Sequence, residues 1–146
     1  MIRLRSAEET EAFGRRLGAL VRTGDVVALF GDLGAGKTTL ARGILAGLGH
    51  SGEVASPTFP IVIPSDDLAV PVWHVDLYRI EAPGELEELA LDEALQDGAL
   101  ILEWPERLGS ALWLHALRLV LRREGEGERA LTAKVPPAWG GRWPPP

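Results

Sequence analysis

The stretch GDLGAGKTT, Gly31 to Thr39, limits what this chain can fold into more than any other part of it. It carries the pattern G-x-x-x-x-G-K-[ST], with Gly31, Gly36, Lys37 and Thr38 at the defining positions and Gly34 as a further glycine. DVVALF, Asp25 to Phe30, precedes it as a short apolar run suited to a buried strand, and Leu40, Ile44 and Leu48 follow at helical spacing as far as Gly49. Strand, glycine loop and helix in that order predict a loop that wraps phosphate with its N–H groups. The glycines permit turns that a Cβ would penalise, and the helix N-terminus adds partial positive charge. Lysine stands only at Lys37 and Lys134 in a chain otherwise rich in arginine. A compact ammonium on a flexible stem is what a β- or γ-phosphate takes here, and arginine's planar fork is not equivalent. Gly34, Ala35, Gly36, Lys37, Thr38 and Thr39 are thus the expected phosphate-binding residues, with the Thr38 hydroxyl available to Mg²⁺. A glycine-rich turn that merely precedes a helix is the plainer reading, and the strand before and helix after argue against it.

The rest of the chain predicts strands alternating with helices, hence an α/β fold with a mostly parallel central sheet. SAEETEAFGRRLGALVRTG reads as a helix opened by a capping box of Ser6 and Glu9, with Phe13, Leu17, Leu20 and Val21 on one face and a stop at Gly24. APGELEELALDEALQDG reads as another, opened by Pro83 and closed by Gly98. PIVI, VPVWHVD and ALILE read as strands, and alternation about Leu117, Leu119 and Leu121, a turn through Gly125 and Gly127, and resumption at Leu131 predict a C-terminal β-hairpin. At 146 residues one domain is expected, over 1–135, with PPAWGGRWPPP (136–146) as a Pro/Trp-rich tail in which Trp139 and Trp143 are the residues something can hold.

A phosphate loop needs an acidic partner for magnesium at the C-terminal end of a buried strand nearby. ALILE ends in Glu103 and VPVWHVD ends in Asp76, and both carboxylates are candidates, although a charged residue also commonly marks a strand exit. VASPTFPIV places Thr58 in a loop shaped by Ser56 and Pro57, where a threonine can meet Mg²⁺ or a γ-phosphate, or merely close a Ser-Pro turn. The absence of cysteine removes thiolate nucleophiles and zinc–thiolate sites, and the net charge of −6 argues against a broad surface gripping nucleic acid by itself. No apolar run reaches membrane-spanning length and the first residues lack a secretory core, so a cytoplasmic protein without a membrane role is expected.

GDLGAGKTT, SPTF, HVDLYR and LEWPER, in this order and at these spacings, closely resemble the TsaE (YjeE) family of small bacterial P-loop ATPases. The resemblance runs from Ser6 through the hairpin and fades in the tail. It implies the P-loop NTPase fold, three-layered, with ATP and Mg²⁺ as cofactors. Gly34 to Thr39 would hold the phosphates, Thr38 and Glu103 the metal, Asp76 would act near the metal or the attacking water, and Thr58 would sense the nucleotide. Lys37, Asp76 and Glu103 would be the catalytic set. Tyr78 and Trp104 match family positions beside the site and equally suit packing; His74 suits a hydrogen-bonded structural role, and Arg79 a partner contact or a surface ion pair. The implied role is to bind the TsaD and TsaB proteins and support, through ATP hydrolysis, threonylcarbamoyl transfer to adenosine 37 of tRNAs, with tRNA met only through that complex. No arginine finger is assignable, so slow hydrolysis by the isolated chain is expected. A small-molecule kinase would need an Arg-rich lid or a second substrate domain, and a GTPase an N-K-x-D sequence; none is seen. A module that binds nucleotide only to set its shape remains the open rival.

Overall fold

The computed structural model describes residues 1–32, 34–49, 61–62, 70–78 and 90–146. The Ser56–Pro57–Thr58 loop, Arg79 and the first half of the second expected helix lie outside the described residues. Among the described residues seven strands form one sheet: β1 (Ile2–Leu4), β2 (Val26–Phe30), β3 (Ile61–Val62), β4 (Val72–Asp76), β5 (Ala99–Glu103), β6 (Leu117–Arg123) and β7 (Arg129–Lys134), in the spatial order β1-β7-β6-β2-β5-β4-β3. The four central strands are parallel, β2 lying between β5 and β6 with β4 beyond β5. Antiparallel strands finish both edges, β7 and β1 on one side and β3 on the other. The expected hairpin is therefore the β6–β7 pair. β1 was not foreseen, because three residues are too few to display a period of two.

Alternation along β2 shows how the sequence makes three layers. Val27 and Leu29 point to a core shared with α1 (Ala7–Gly18) and α2 (Lys37–Gly47). Val26 and Ala28 point to the opposite core, with α3 (Leu91–Asp97) and the 3₁₀ segment Pro105–Ala111. Both faces are covered at the centre, which is why the strand has no polar alternation. α1 starts where Ser6 Oγ accepts the Glu9 N–H at 3.1 Å, as the capping box predicts. It ends at Gly18, before the expected stop at Gly24. The two helices meet backbone to backbone: a Cβ on Gly43 would stand 2.2 Å from the Glu11 carbonyl oxygen, and one on Gly18 2.1 Å from that of Ile44. Glycine at this crossing sets how α2 lies on the sheet, and thus where its N-terminus points. Glycine loop after β2, flanking parallel strands and helices on both faces make this a P-loop NTPase fold.

Residues 136–146 pack against the α1 side of the domain. Trp139 is fully buried, the Trp143 ring meets Phe13 edge-on at 5.8 Å, and Arg142 makes a two-pronged ion pair with Asp25 at 2.6 and 3.1 Å. Arg142 also donates to the carbonyls of Leu20 and Ala138 and lies 3.9 Å from the Trp139 ring centre. Among the described residues no helix is long and apolar enough to cross a membrane.

Candidate functional site

The chain leaves β2 at Phe30, turns through the glycines and enters α2 at Lys37. Gly36 has φ +101 at the N-cap of α2, a conformation for which glycine is suited, and no side chain caps this helix start. The N–H groups of its first turn are thereby left for a ligand. Parallel pairing brings the C-terminal ends of β4 and β5 level with this loop, since Asp76 is the register partner of Glu103. The two carboxylates expected from the sequence therefore share one edge and one face of the sheet. A cavity of about 390 Å³ opens there, lined by Gly34, Gly36, Lys37, Thr38, Thr39, Asp76, Glu103, Trp104 and Arg129. Of the expected phosphate-loop residues, Ala35 turns its side chain into the core. Thr58 lies outside the described residues.

Within the cavity the carboxylate of Glu103 is held on both oxygens. Oε2 accepts from His74 Nε2 at 2.7 Å, and Oε1 lies 3.4 Å from Thr38 Oγ1. Asp76 Oδ1 accepts the Tyr78 N–H at 2.9 Å, which bends the chain out of β4. Among the described residues, no three His, Cys, Asp or Glu side chains gather into a metal cage. One hydroxyl and one carboxylate of hard oxygen character suit Mg²⁺, which keeps several waters and takes its other ligands from phosphate oxygens. The residues present thus fit that ion bound together with a nucleotide.

Lys37 is buried, with no hydrogen-bond partner for Nζ among the described residues. Its ammonium rests 3.4 Å from the ring centre of Trp104, a cation–π contact. Burial pulls this lysine below the ordinary lysine range, opposed by the negative fields of Glu103, Glu106, Asp76 and Asp32. A buried cation without a hydrogen-bond partner is costly unless something anionic completes it, and a cavity large enough for such a group adjoins it. Trp104 presents its ring from a left-handed backbone position, φ 60, which non-glycine residues adopt with strain. The Tyr78 ring lies against it, tilted by 49° with centroids 4.9 Å apart, while Trp104 both lines the cavity and packs on the core beneath.

Arg129 is the site residue that sequence reasoning missed. From the start of β7 its Nε donates to the Ala35 carbonyl at 2.8 Å and its Nη2 to the Gly34 carbonyl at 3.0 Å. Its Nη1 is bound to the Glu128 carbonyl. The peptide unit is trans, so holding the Ala35 carbonyl directs the Gly36 N–H away from the guanidinium. Arg129 therefore braces the glycine loop from the hairpin side. With three of its donors on carbonyls it acts as a clamp.

A family model described as threonylcarbamoyl adenosine biosynthesis protein TsaE matches residues 4–131. The tRNA threonylcarbamoyladenosine biosynthesis protein TsaE of Bacillus subtilis is 41% identical over 126 residues, covering 86% of this chain and 78% of that protein. Its counterpart in Streptomyces coelicolor is 45% identical over 139 residues, covering 84% and 94%. The crystal structure of YdiB from Bacillus subtilis superposes with a TM-score of 0.80 at 32% identity, covering 96% of this chain and 88% of that one. The matched span includes the glycine loop, both carboxylates, Trp104 and Arg129, and with it the chain belongs to the TsaE family of threonylcarbamoyl adenosine biosynthesis proteins.

Proposed function

We propose that this chain is an ATPase that hydrolyses ATP to ADP and phosphate with Mg²⁺, and that it binds the TsaD and TsaB proteins and supports threonylcarbamoyl transfer to adenosine 37 of tRNAs. The observation that carries the nucleotide part is Lys37: a buried cation at a helix start with no hydrogen-bond partner among the described residues, beside a glycine loop and a cavity. Gly34 to Thr39 hold the phosphates through N–H groups and the lysine. Thr38 and Glu103 hold Mg²⁺, which when bound neutralises charge on the phosphate oxygens. Asp76, at the same sheet edge, orients the attacking water or a metal-bound water. Trp104 supplies the wall against which Lys37 rests until phosphate draws it off.

The partner half rests on family membership. Arg129 lines the cavity but gives three of its N–H donors to carbonyls, which suits a brace for the loop rather than a finger for the phosphates. Hydrolysis by the isolated chain is therefore slow, and a group supplied in trans, or engagement of Thr58 on docking, completes the site; a finger in trans is worth about 10³-fold or more. Tight regulation of binding by nucleotide follows if Thr58 contacts the γ-phosphate. The test is a titration of TsaD and TsaB against the chain with ATP, ADP or no nucleotide, following phosphate release in parallel. Nucleotide-dependent binding with stimulated release is the expected result. Equal binding in all three states without stimulation refutes the coupling and leaves only a P-loop nucleotide binder; ADP formed only with an added small acceptor identifies a small-molecule kinase instead.

A further inference from the structure

His74 lies in the middle of β4 and is completely buried, although a strand interior between Val72 and Val75 has no packing need for an imidazole. Its register partner is Ile101 on β5, so it faces the α2 side of the sheet together with Ile101, Glu103 and Asp76. An ionised carboxylate only accepts, so at the 2.7 Å contact the His74 Nε2 carries the proton and donates it to Glu103 Oε2. The other ring nitrogen, Nδ1, is buried and has no partner among the described residues. A buried polar atom left unpaired is costly, and a leucine would fill the same volume without that cost. What the imidazole supplies in exchange is one donor, aimed at one oxygen of one carboxylate.

We propose that His74 is a positioning residue for the divalent-cation site: its Nε2–H fixes the plane of the Glu103 carboxylate and leaves Oε1 turned toward Thr38. The proposal rests on the reading of Thr38 and Glu103 as the Mg²⁺ ligands. A glutamate free to rotate about its last torsion samples many orientations, whereas one tied through Oε2 presents Oε1 in a single direction. The Thr38 hydroxyl donates to Oε1 across 3.4 Å, a long hydroxyl–carboxylate bond, so the two oxygens already face each other. They are placed in advance, and a cation arriving with nucleotide need not order them. Outer partners that orient a metal-binding carboxylate typically govern affinity by about 10- to 100-fold.

The test uses Mn²⁺ as the probe, titrated into the full chain with ADP and followed by the loss of the free-ion electron paramagnetic resonance signal. Parent, His74→Leu, His74→Gln and Glu103→Gln are compared, with ADP affinity in chelator measured alongside and thermal unfolding used to check each fold. His74→Leu is expected to weaken Mn²⁺ by at least about tenfold while ADP affinity in chelator stays at the parent value. His74→Gln, whose amide N–H reaches toward the same oxygen, is expected to restore most of the loss, which a purely space-filling role would not produce. Parent-like Mn²⁺ affinity in a folded His74→Leu, beside a loss in Glu103→Gln, overturns the proposal alone. Parent-like affinity in Glu103→Gln overturns the metal reading and the proposal with it. If His74→Leu does not fold, the Gln variant decides: Mn²⁺ affinity reduced as far as in Glu103→Gln refutes the donor role.

Discussion

Replacing Arg129 tests whether the glycine loop is held in shape from the hairpin side. Arg129→Ala removes two charge-assisted bonds to loop carbonyls, at 2.8 Å to Ala35 and 3.0 Å to Gly34. Bonds from a charged donor are worth about 1.5–3 kcal/mol each, but this guanidinium is only half-buried and water replaces it in part. Discounted for that exposure, the pair contributes about 1–2 kcal/mol to keeping the loop in its binding shape, which corresponds to a loss of about 5- to 30-fold in nucleotide affinity. Lysine at this position keeps the charge yet cannot hold two carbonyls with a planar fork, so Arg129→Lys should recover less than half of that free energy. Calorimetric titration of ADP with and without Mg²⁺ measures it, with thermal unfolding to show that the β6–β7 hairpin is intact. ADP affinity within twofold of the parent in a folded Arg129→Ala would refute the reasoning.

Lys37→Met should abolish detectable phosphate-dependent binding while leaving Tm unchanged or raised, because it replaces an unpaired buried cation with an apolar chain of similar length; a fall in Tm of several degrees in differential scanning calorimetry would contradict this. Glu103→Gln should raise the Mg²⁺ requirement for phosphate release far more than it weakens nucleotide binding in chelator, as read by parallel turnover and binding titrations. Gly43→Ala places a Cβ 2.2 Å from a carbonyl at the α1–α2 crossing and should cost about 1–3 kcal/mol or more in urea unfolding, a neutral result showing that the helices separate easily. Arg142→Ala leaves the buried Asp25 carboxylate without its cation and should cost about 3 kcal/mol by the same assay; an unchanged midpoint would mean that residues 136–146 contribute nothing to the domain.

How much of this was legible in the sequence depended on how local each feature was. The glycine loop, the strand before it and the helix after it are contiguous, so spacing alone placed Gly34, Gly36, Lys37, Thr38 and Thr39 around one cavity. Asp76 and Glu103 were found because a buried strand ending in a carboxylate is readable as such, and parallel register then brought the two ends level. Arg129 had no such signal: it stands 94 residues from Ala35, at the head of a strand among several arginines. Only the sheet order, with β7 beside β6 and β6 beside β2, places it behind the loop. The sequence marks Lys37 for phosphate but not its contact with Trp104, which depends on the backbone of Trp104 turning left-handed. Composition likewise marked 136–146 as a tail, while the bonds of Arg142 and the burial of Trp139 depend on surfaces made elsewhere in the chain.

The central claim, a Mg²⁺-dependent ATPase built on Lys37 and Glu103, is tested most directly by phosphate release from ATP with no acceptor present. The parent chain, Lys37→Met and Glu103→Gln are compared with Mg²⁺ and with chelator, each in the presence of TsaD and TsaB. Release by the parent that requires Mg²⁺ and is lost in both variants is the predicted result. Release that persists in folded Lys37→Met, or no release by the parent under any of these conditions, would contradict the account.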